Sequence, residues 1–276
     1  MSTIESAITD HVKNQHTPHM PVLFLGHGSP MNAIEENEFI EGFRTLSQNL
    51  PKPSAILCIS AHWYTQGTFV TASPRPVTMH DFYGFPKQLF GVEYPANGHP
   101  ALAGETVDLL RPETVIPDVN RGLDHGAWSV ITHLYPKADV PVIQLSIDYT
   151  KPAGWHFELA GRLLKLRTKG VLIIGSGNIV HNLSLVDFRN MNTLDYGFDW
   201  AFEAREITNQ LILSGNFGGL LEYQNLGRSM QLAVPTPDHF LPLMYTLGLR
   251  KEQEPIRLFN DKLVAGSLSM TSVMVG

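Results

Sequence analysis

Four histidines of this chain share a setting that suits metal chemistry. His27 closes the apolar run Pro21-Val-Leu-Phe-Leu-Gly26, and His62 closes Ala55-Ile-Leu-Cys-Ile-Ser-Ala61. His181 comes shortly after Gly170-Val-Leu-Ile-Ile-Gly175, through Ser176-Gly-Asn-Ile-Val180, and His239 lies in Pro235-Thr-Pro-Asp-His239. Imidazole titrates near neutral pH and is the commonest side-chain ligand of zinc, iron and copper. Several imidazoles at one rim would bind such an ion. The competing reading makes each an isolated loop or core histidine bonded to a carbonyl. Spacing leaves both open, because there is no tight pattern such as His-Glu-x-x-His. His80, His99, His133 and His156 lack the setting and read as structural. His11, His16 and His19 fall in a polar extension, residues 1–19, and read as solvated.

The elements that must carry these side chains follow from periodicity. Short apolar runs bounded by Pro and Gly read as buried strands, at residues 21–26, 55–61, 140–147 and 170–175. Between the first two, Ile34, Phe39, Phe43 and Leu46 predict an amphipathic helix over 32–50. Strand, helix and parallel strand would put His27 and His62 at the same edge of a sheet, where α/β folds keep their ligand crevice. Further helices are predicted at 100–110, 129–135, 151–166 and 199–213. Thr236 and Pro237 suit the start of a helix with His239 in its first turn, in which Pro242 is an anomaly. Residues 267–275 alternate and read as a final strand. Residues 64–100, rich in Gly, Pro and aromatics, read as a long functional loop or lid.

Composition narrows the class. Asp plus Glu exceed Lys plus Arg by 26 to 20, so no overall basic field attracts nucleic acid or anionic membrane. No run approaches the roughly 18 apolar residues of a membrane span. The first ten residues lack a signal-peptide apolar core, and the single cysteine, Cys58, cannot form an intramolecular disulfide, so a cytoplasmic location is expected. Gly175-Ser-Gly177 lacks the lysine of a phosphate loop, and Gly26-His-Gly-Ser29 does not match a nucleophile elbow. Neither heptads nor an interface pattern specifies an oligomer.

Six stretches in order carry a resemblance. They are Gly26-His-Gly-Ser-Pro30, Ser60-Ala-His-Trp63, His80-Asp-Phe-Tyr-Gly-Phe-Pro86, Gly122-Leu-Asp-His-Gly-Ala-Trp128, Ser176-Gly-Asn-Ile-Val-His-Asn182 and Thr236-Pro-Asp-His239. Together they resemble the DOPA 4,5-dioxygenase family of class III extradiol ring-cleaving dioxygenases, related to the catalytic subunit of protocatechuate 4,5-dioxygenase. The resemblance implies an α/β fold over residues 20–276: a single three-layer α/β/α domain with a mostly parallel or mixed central sheet. It implies His27, His62 and His239 as ligands of a mononuclear metal. His181 would be the acid/base residue, near enough to be a fourth ligand in a resting zinc form, and His125 a second catalytic histidine. The metal would be Fe(II) for oxygenase chemistry or Zn(II) as the resting or native ion, and the partners a catechol such as L-DOPA and O2. Where the protocatechuate enzymes supply a carboxylate, this chain supplies His239. A zinc-dependent hydrolase of the same fold and a non-catalytic metal-binding protein are the rival readings. Trp63, Tyr83 and Phe85 are candidates for an aromatic wall, with core packing the competing reading for each.

Overall fold

The apolar runs of the sequence are unbroken because both of their faces are buried. In β1 (Val22–Gly26), Val22 and Phe24 join one core cluster while Leu23 and Leu25 join another on the opposite side of the sheet. The computed structural model describes residues 19–191 and 193–276. Nearly all of the predicted 1–19 extension, including His11 and His16, lies outside the described residues. His19 is described, and its Nε2 lies 3.2 Å from Glu254 Oε1.

The remaining strands are β2 (Ala55–Thr65), β3 (Thr68–Thr71), β4 (Val115–Asp118), β5 (Val142–Asp148), β6 (Val171–Gly177), β7 (Ile256–Phe259), β8 (Leu263–Val264), β9 (Leu268–Ser269) and β10 (Ser272–Val275). Eight of them form one sheet in the order β4-β3-β5-β2-β6-β1-β10-β7. Its centre, β5-β2-β6-β1, is parallel, and β10 and β7 are added antiparallel at one side. The helices are α1 (Glu38–Gln48), α2 (Pro100–Leu110), α3 (His125–Leu134), α4 (Ala153–Gly161), α5 (Leu164–Thr168), α6 (Asp199–Ser214), α7 (Phe217–Leu221), α8 (Arg228–Ala233) and α9 (Leu241–Gly248). Ile40 and Phe43 of α1 and the apolar face of α3 cover one side of the sheet. Helices α2, α4, α6 and α9 contribute to the cluster on the other, which gives the expected three-layer α/β/α arrangement. Burying a side chain such as Phe43 stabilises the fold by about 1.5–3 kcal/mol.

Several elements differ from their sequence reading, each for a local reason. The helix predicted over 32–50 begins only at Glu38, because Asn37 caps it by accepting from the N–H groups of Phe39 and Ile40. The helix predicted over 151–166 breaks between α4 and α5. β2 runs on through His62 to Thr65 with an irregular register against β5 after Ile59, so His62 lies within a strand. β3 and β4, short and rich in Thr and Pro, are hidden in the sequence. α3 starts earlier than predicted, at His125, because the Asp124 carboxylate accepts from the N–H of Ala127. The final strand is split into β9 and β10. Thr236 does not open a helix. α9 begins at Leu241, so Pro242 occupies its first turn, where a missing N–H costs nothing.

Candidate metal centre

The parallel centre of the sheet delivers His27 and His62 to one rim, since β1 and β2 both pair in parallel with β6 between them. His27 follows β1 directly and is 1% exposed, with its N–H bonded to the carbonyl of Gly177 at the end of β6. His239 reaches the same rim because β6 ends in glycine: a Cβ on Gly177 would strike the His239 carbonyl, which accepts from Asn178 N–H at 2.9 Å. His181 is clamped by its backbone, its N–H on the Ala233 carbonyl and a bridge to Leu268. His125 is the first residue of α3, with its backbone N–H and ring Nδ1 both on Asp81 Oδ1 at 2.9 and 3.0 Å.

Hydrogen bonds aim three of these rings. Ser176 Oγ donates to the Gly126 carbonyl at 2.5 Å, so it accepts from His27 Nδ1–H at 2.9 Å and leaves His27 Nε2 as a bare lone pair. His239 Nδ1 bonds Asp238, and His125 Nδ1 bonds Asp81, with the same consequence for each Nε2. Carboxylate or hydroxyl partners behind an imidazole fix its tautomer and raise its basicity as a ligand. A second carboxylate works from further back. Asp124, fully buried, accepts from Ser60 Oγ at 2.7 Å, Gln144 Nε2 at 2.8 Å and Arg121 Nη2 at 3.1 Å. It thereby ties β2, β5 and the start of α3 together beneath His62 and His125.

Donor atoms of His27, His62 and His125 lie within 4.8 Å of one another, as do those of His181, Asp238 and His239. Ring positions offer a third candidate set that draws on both groups. The centroids of His27, His62 and His239 form a near-equilateral triangle with sides of 5.0, 5.2 and 5.0 Å. An ion about 2.1 Å from each Nε2 stands about 3.2 Å from each centroid, and tetrahedral angles then separate the centroids by about 5.2 Å. The triangle fits. By contrast, His125 lies 3.8 Å from His62 and His181 lies 3.5 Å from His239, parallel to within 7°. Either pair would subtend only about 65–75° at such an ion, so His125 and His181 stand beside the triangle. All three members are nitrogen donors, which suits zinc, iron or copper alike.

Burial is the main reason that His27, His62 and His181 resist protonation. It holds His27 and His62 well below the ordinary histidine range, with neighbouring imidazoles adding to the effect. Burial, then His239, pushes His181 down to about 3. For Asp81 burial acts upward, but the hydrogen bond and charge of His125 prevail and hold it at about 2. Asp238 is likewise depressed, burial being outweighed by its bond to His239. Clustered imidazoles with two carboxylates behind them are the donor set of a cation site.

The three aromatic candidates divide between the core-packing reading and an exposed position. Trp63 is buried against Phe69 and the Arg121 guanidinium, and Tyr83 is 92% exposed. Phe85 packs on Phe82, and it is Phe82 that meets His125 edge-on at 5.5 Å. Asp81, Asp238, Ser176 and Phe82 had no functional role in the sequence reading. Each stands next to or one strand away from a histidine, and sequence adjacency to His80, His239 and the β6 motif was the one available signal.

Comparison with known proteins agrees with this geometry. Residues 14–275 match the family described as the catalytic LigB subunit of aromatic ring-opening dioxygenase. The chain belongs to that family. It is 44% identical over 263 residues to a protein of Escherichia coli K12 named 4,5-DOPA dioxygenase extradiol, covering 93% of this chain and 95% of that one. A Beta vulgaris protein of the same name is 35% identical over 256 residues, covering 90% and 94%. A crystal structure of an uncharacterized Escherichia coli K12 protein superposes with a TM-score of 0.80 at 41% identity, covering 93% of this chain and all of that one. The LigB-family chain is thus an extradiol dioxygenase-like enzyme with a mixed α/β fold and a possible three-histidine metal site. Among its described residues, no helix is long and apolar enough to cross a membrane.

Proposed function

We propose that this enzyme opens a catechol ring beside its diol with molecular oxygen, and that L-DOPA, cleaved between carbons 4 and 5 to a seco-DOPA semialdehyde, is a substrate. The observation that carries the reading is the triangle of His27, His62 and His239 flanked by two further imidazoles. Those three residues would hold the metal, as Fe(II) in the oxygenase form. Bound there, it supplies a Lewis-acidic position that acidifies the diol and brings it together with dioxygen.

The surrounding residues handle the protons. His181, its ring against that of His239, would accept a proton from a catechol hydroxyl that the site has acidified and return it later in the reaction. Its stacking on His239 keeps it beside the reacting oxygens rather than in the ligand set. His125, whose Nδ1–H is held by Asp81, offers Nε2 to a substrate or oxygen hydrogen. Phe82 presents an apolar edge at the same place, which fits an aromatic ring and limits water.

The names of the relatives support L-DOPA as the substrate, and the ring-opening family description supports the reaction class. The test is to load the protein with Fe(II) anaerobically, add L-DOPA and then admit air. A coloured ring-fission product with one O2 consumed per product is expected. No oxygen uptake across a panel of catechols would sink the proposal. One observation favours a second reading: the triangle contains no carboxylate, and three neutral nitrogens are also the donor set of catalytic zinc. A zinc hydrolase would turn over ester or amide substrates with Zn(II) alone and without air.

A further inference from the structure

His62 has a proton to place. Its Nε2 lies 3.2 Å from Nε2 of His27, which is a bare lone pair because His27 Nδ1–H is given to Ser176. If both Nε2 atoms serve one metal, the single proton of neutral His62 must sit on Nδ1. The carboxylate oxygen facing that atom is Asp81 Oδ2, at 3.9 Å. The other oxygen, Oδ1, is already engaged twice by His125. One carboxylate therefore stands between a metal-triangle histidine and a flanking histidine, and it comes from the irregular segment between β3 and α2.

We propose that Asp81 is a positioning residue that receives the Nδ1–H of His62 when the triangle holds a metal, and so draws the segment around residues 78–92 onto the centre. This rests on the metal reading given above. A hydrogen bond needs about 2.7–3.2 Å, so the 3.9 Å contact shortens by about 1 Å. Phe82, attached to Asp81 and packed on His125, moves inward with it. Ligand tautomer and loop seating are thereby linked through one side chain.

Asparagine separates this role from a structural one. The amide oxygen of Asp81→Asn can still accept from His125, but its NH2 then faces His62 Nδ1. Two donors cannot share that contact, so His62 is driven to the Nε2–H tautomer, which cannot ligate. Zn(II) affinity is measured by competition with a chromophoric chelator, and hydrogen exchange is followed in peptides covering 78–92. In the wild type, Zn(II) binds and slows exchange there. The Asp81→Asn protein is expected to bind Zn(II) ~10–100-fold more weakly and to lose the protection, while Asp81→Glu recovers part of both. Equal affinity and equal protection in Asp81→Asn would overturn the proposal. Should that variant misfold, the wild-type ring decides alone: 15N spectra must show His62 converting to Nδ1–H as Zn(II) is added, and an unchanged tautomer overturns it. A wild type that binds no Zn(II) at the histidines would overturn the metal reading itself, and this inference with it.

Discussion

The imidazoles of His181 and His239 lie face to face, 3.5 Å between centroids and 7° from parallel. The ring of His239 lies 5.2 Å from that of His27 and 5.0 Å from that of His62 and completes the triangle, whereas His181 stands behind it, so two adjacent rings of identical chemistry are given different tasks in the proposed reaction. The first prediction follows directly. His181→Ala should keep most of the bound metal and lose turnover by ~10²–10⁴-fold, the usual worth of a general acid/base. His62→Ala should lose the metal as well. Metal content by elemental analysis, set beside oxygen uptake, separates the two; a His181→Ala enzyme with wild-type turnover would remove the acid/base role.

Ser176 should matter although it touches no substrate. It donates to the Gly126 carbonyl and accepts from His27 Nδ1–H. In Ser176→Ala, His27 is free to place its proton on Nε2, and metal affinity should fall ~10–100-fold with the fold intact. Chelator competition measures the affinity, and circular dichroism checks the fold.

Gly126 is a test of how closely α3 approaches β2. A Cβ there would lie 2.5 Å from Ser60 Oγ and 2.6 Å from His62 Cδ2. Gly126→Ala should therefore displace His62, cost about 1–3 kcal/mol of stability as an overpacked site, and weaken metal binding. Urea unfolding together with a Zn(II) titration would report both effects. Unchanged affinity would mean that His62 has room to adjust.

Acid stability should depend on a pair far from the centre. Burial acts to raise Glu254, but its hydrogen bonds to the fully buried Arg167 prevail and hold it at about 2, below its ordinary 4.5. A carboxylate depressed on folding adds stability that is complete above 4.5 and is lost as pH falls from there toward about 2. Glu254→Gln should lower stability at pH 7 by about 1.5–3 kcal/mol and flatten the decline across that window. Urea midpoints between pH 7 and 2.5 for both proteins would show it; parallel curves would exclude Glu254 as a source of the acid limb.

The sheet was largely legible because its central strands are buried on both faces, which leaves uninterrupted apolar runs that can be read directly. Helix α2 was legible to the residue, with Pro100 at its start. β3 and β4 were not, since a strand of four residues at or next to the sheet edge carries little pattern of its own. His125 was placed in a turn, although Asp124 before an apolar stretch is a capping signal. Tyr83 and Phe82 could not be told apart, because adjacent aromatics in a loop have no period to say which one turns inward.

By itself the sequence determined the layered α/β class, the family through six ordered motifs, and that His27 and His62 belong to neighbouring apolar strand segments. Those depend on local pattern, and local pattern is written along the chain. The tertiary structure alone decided that His27, His62 and His239 are nearly equidistant, that His125 lies tilted against His62 and His181 stacked on His239, and that Asp81, Asp238 and Ser176 aim the rings. These relations join segments up to 212 positions apart, from His27 to His239, and arise from strand order and from glycines such as Gly126 and Gly177 that let backbones close on one another. Distances of a few ångströms between such remote residues exist only once the sheet has assembled.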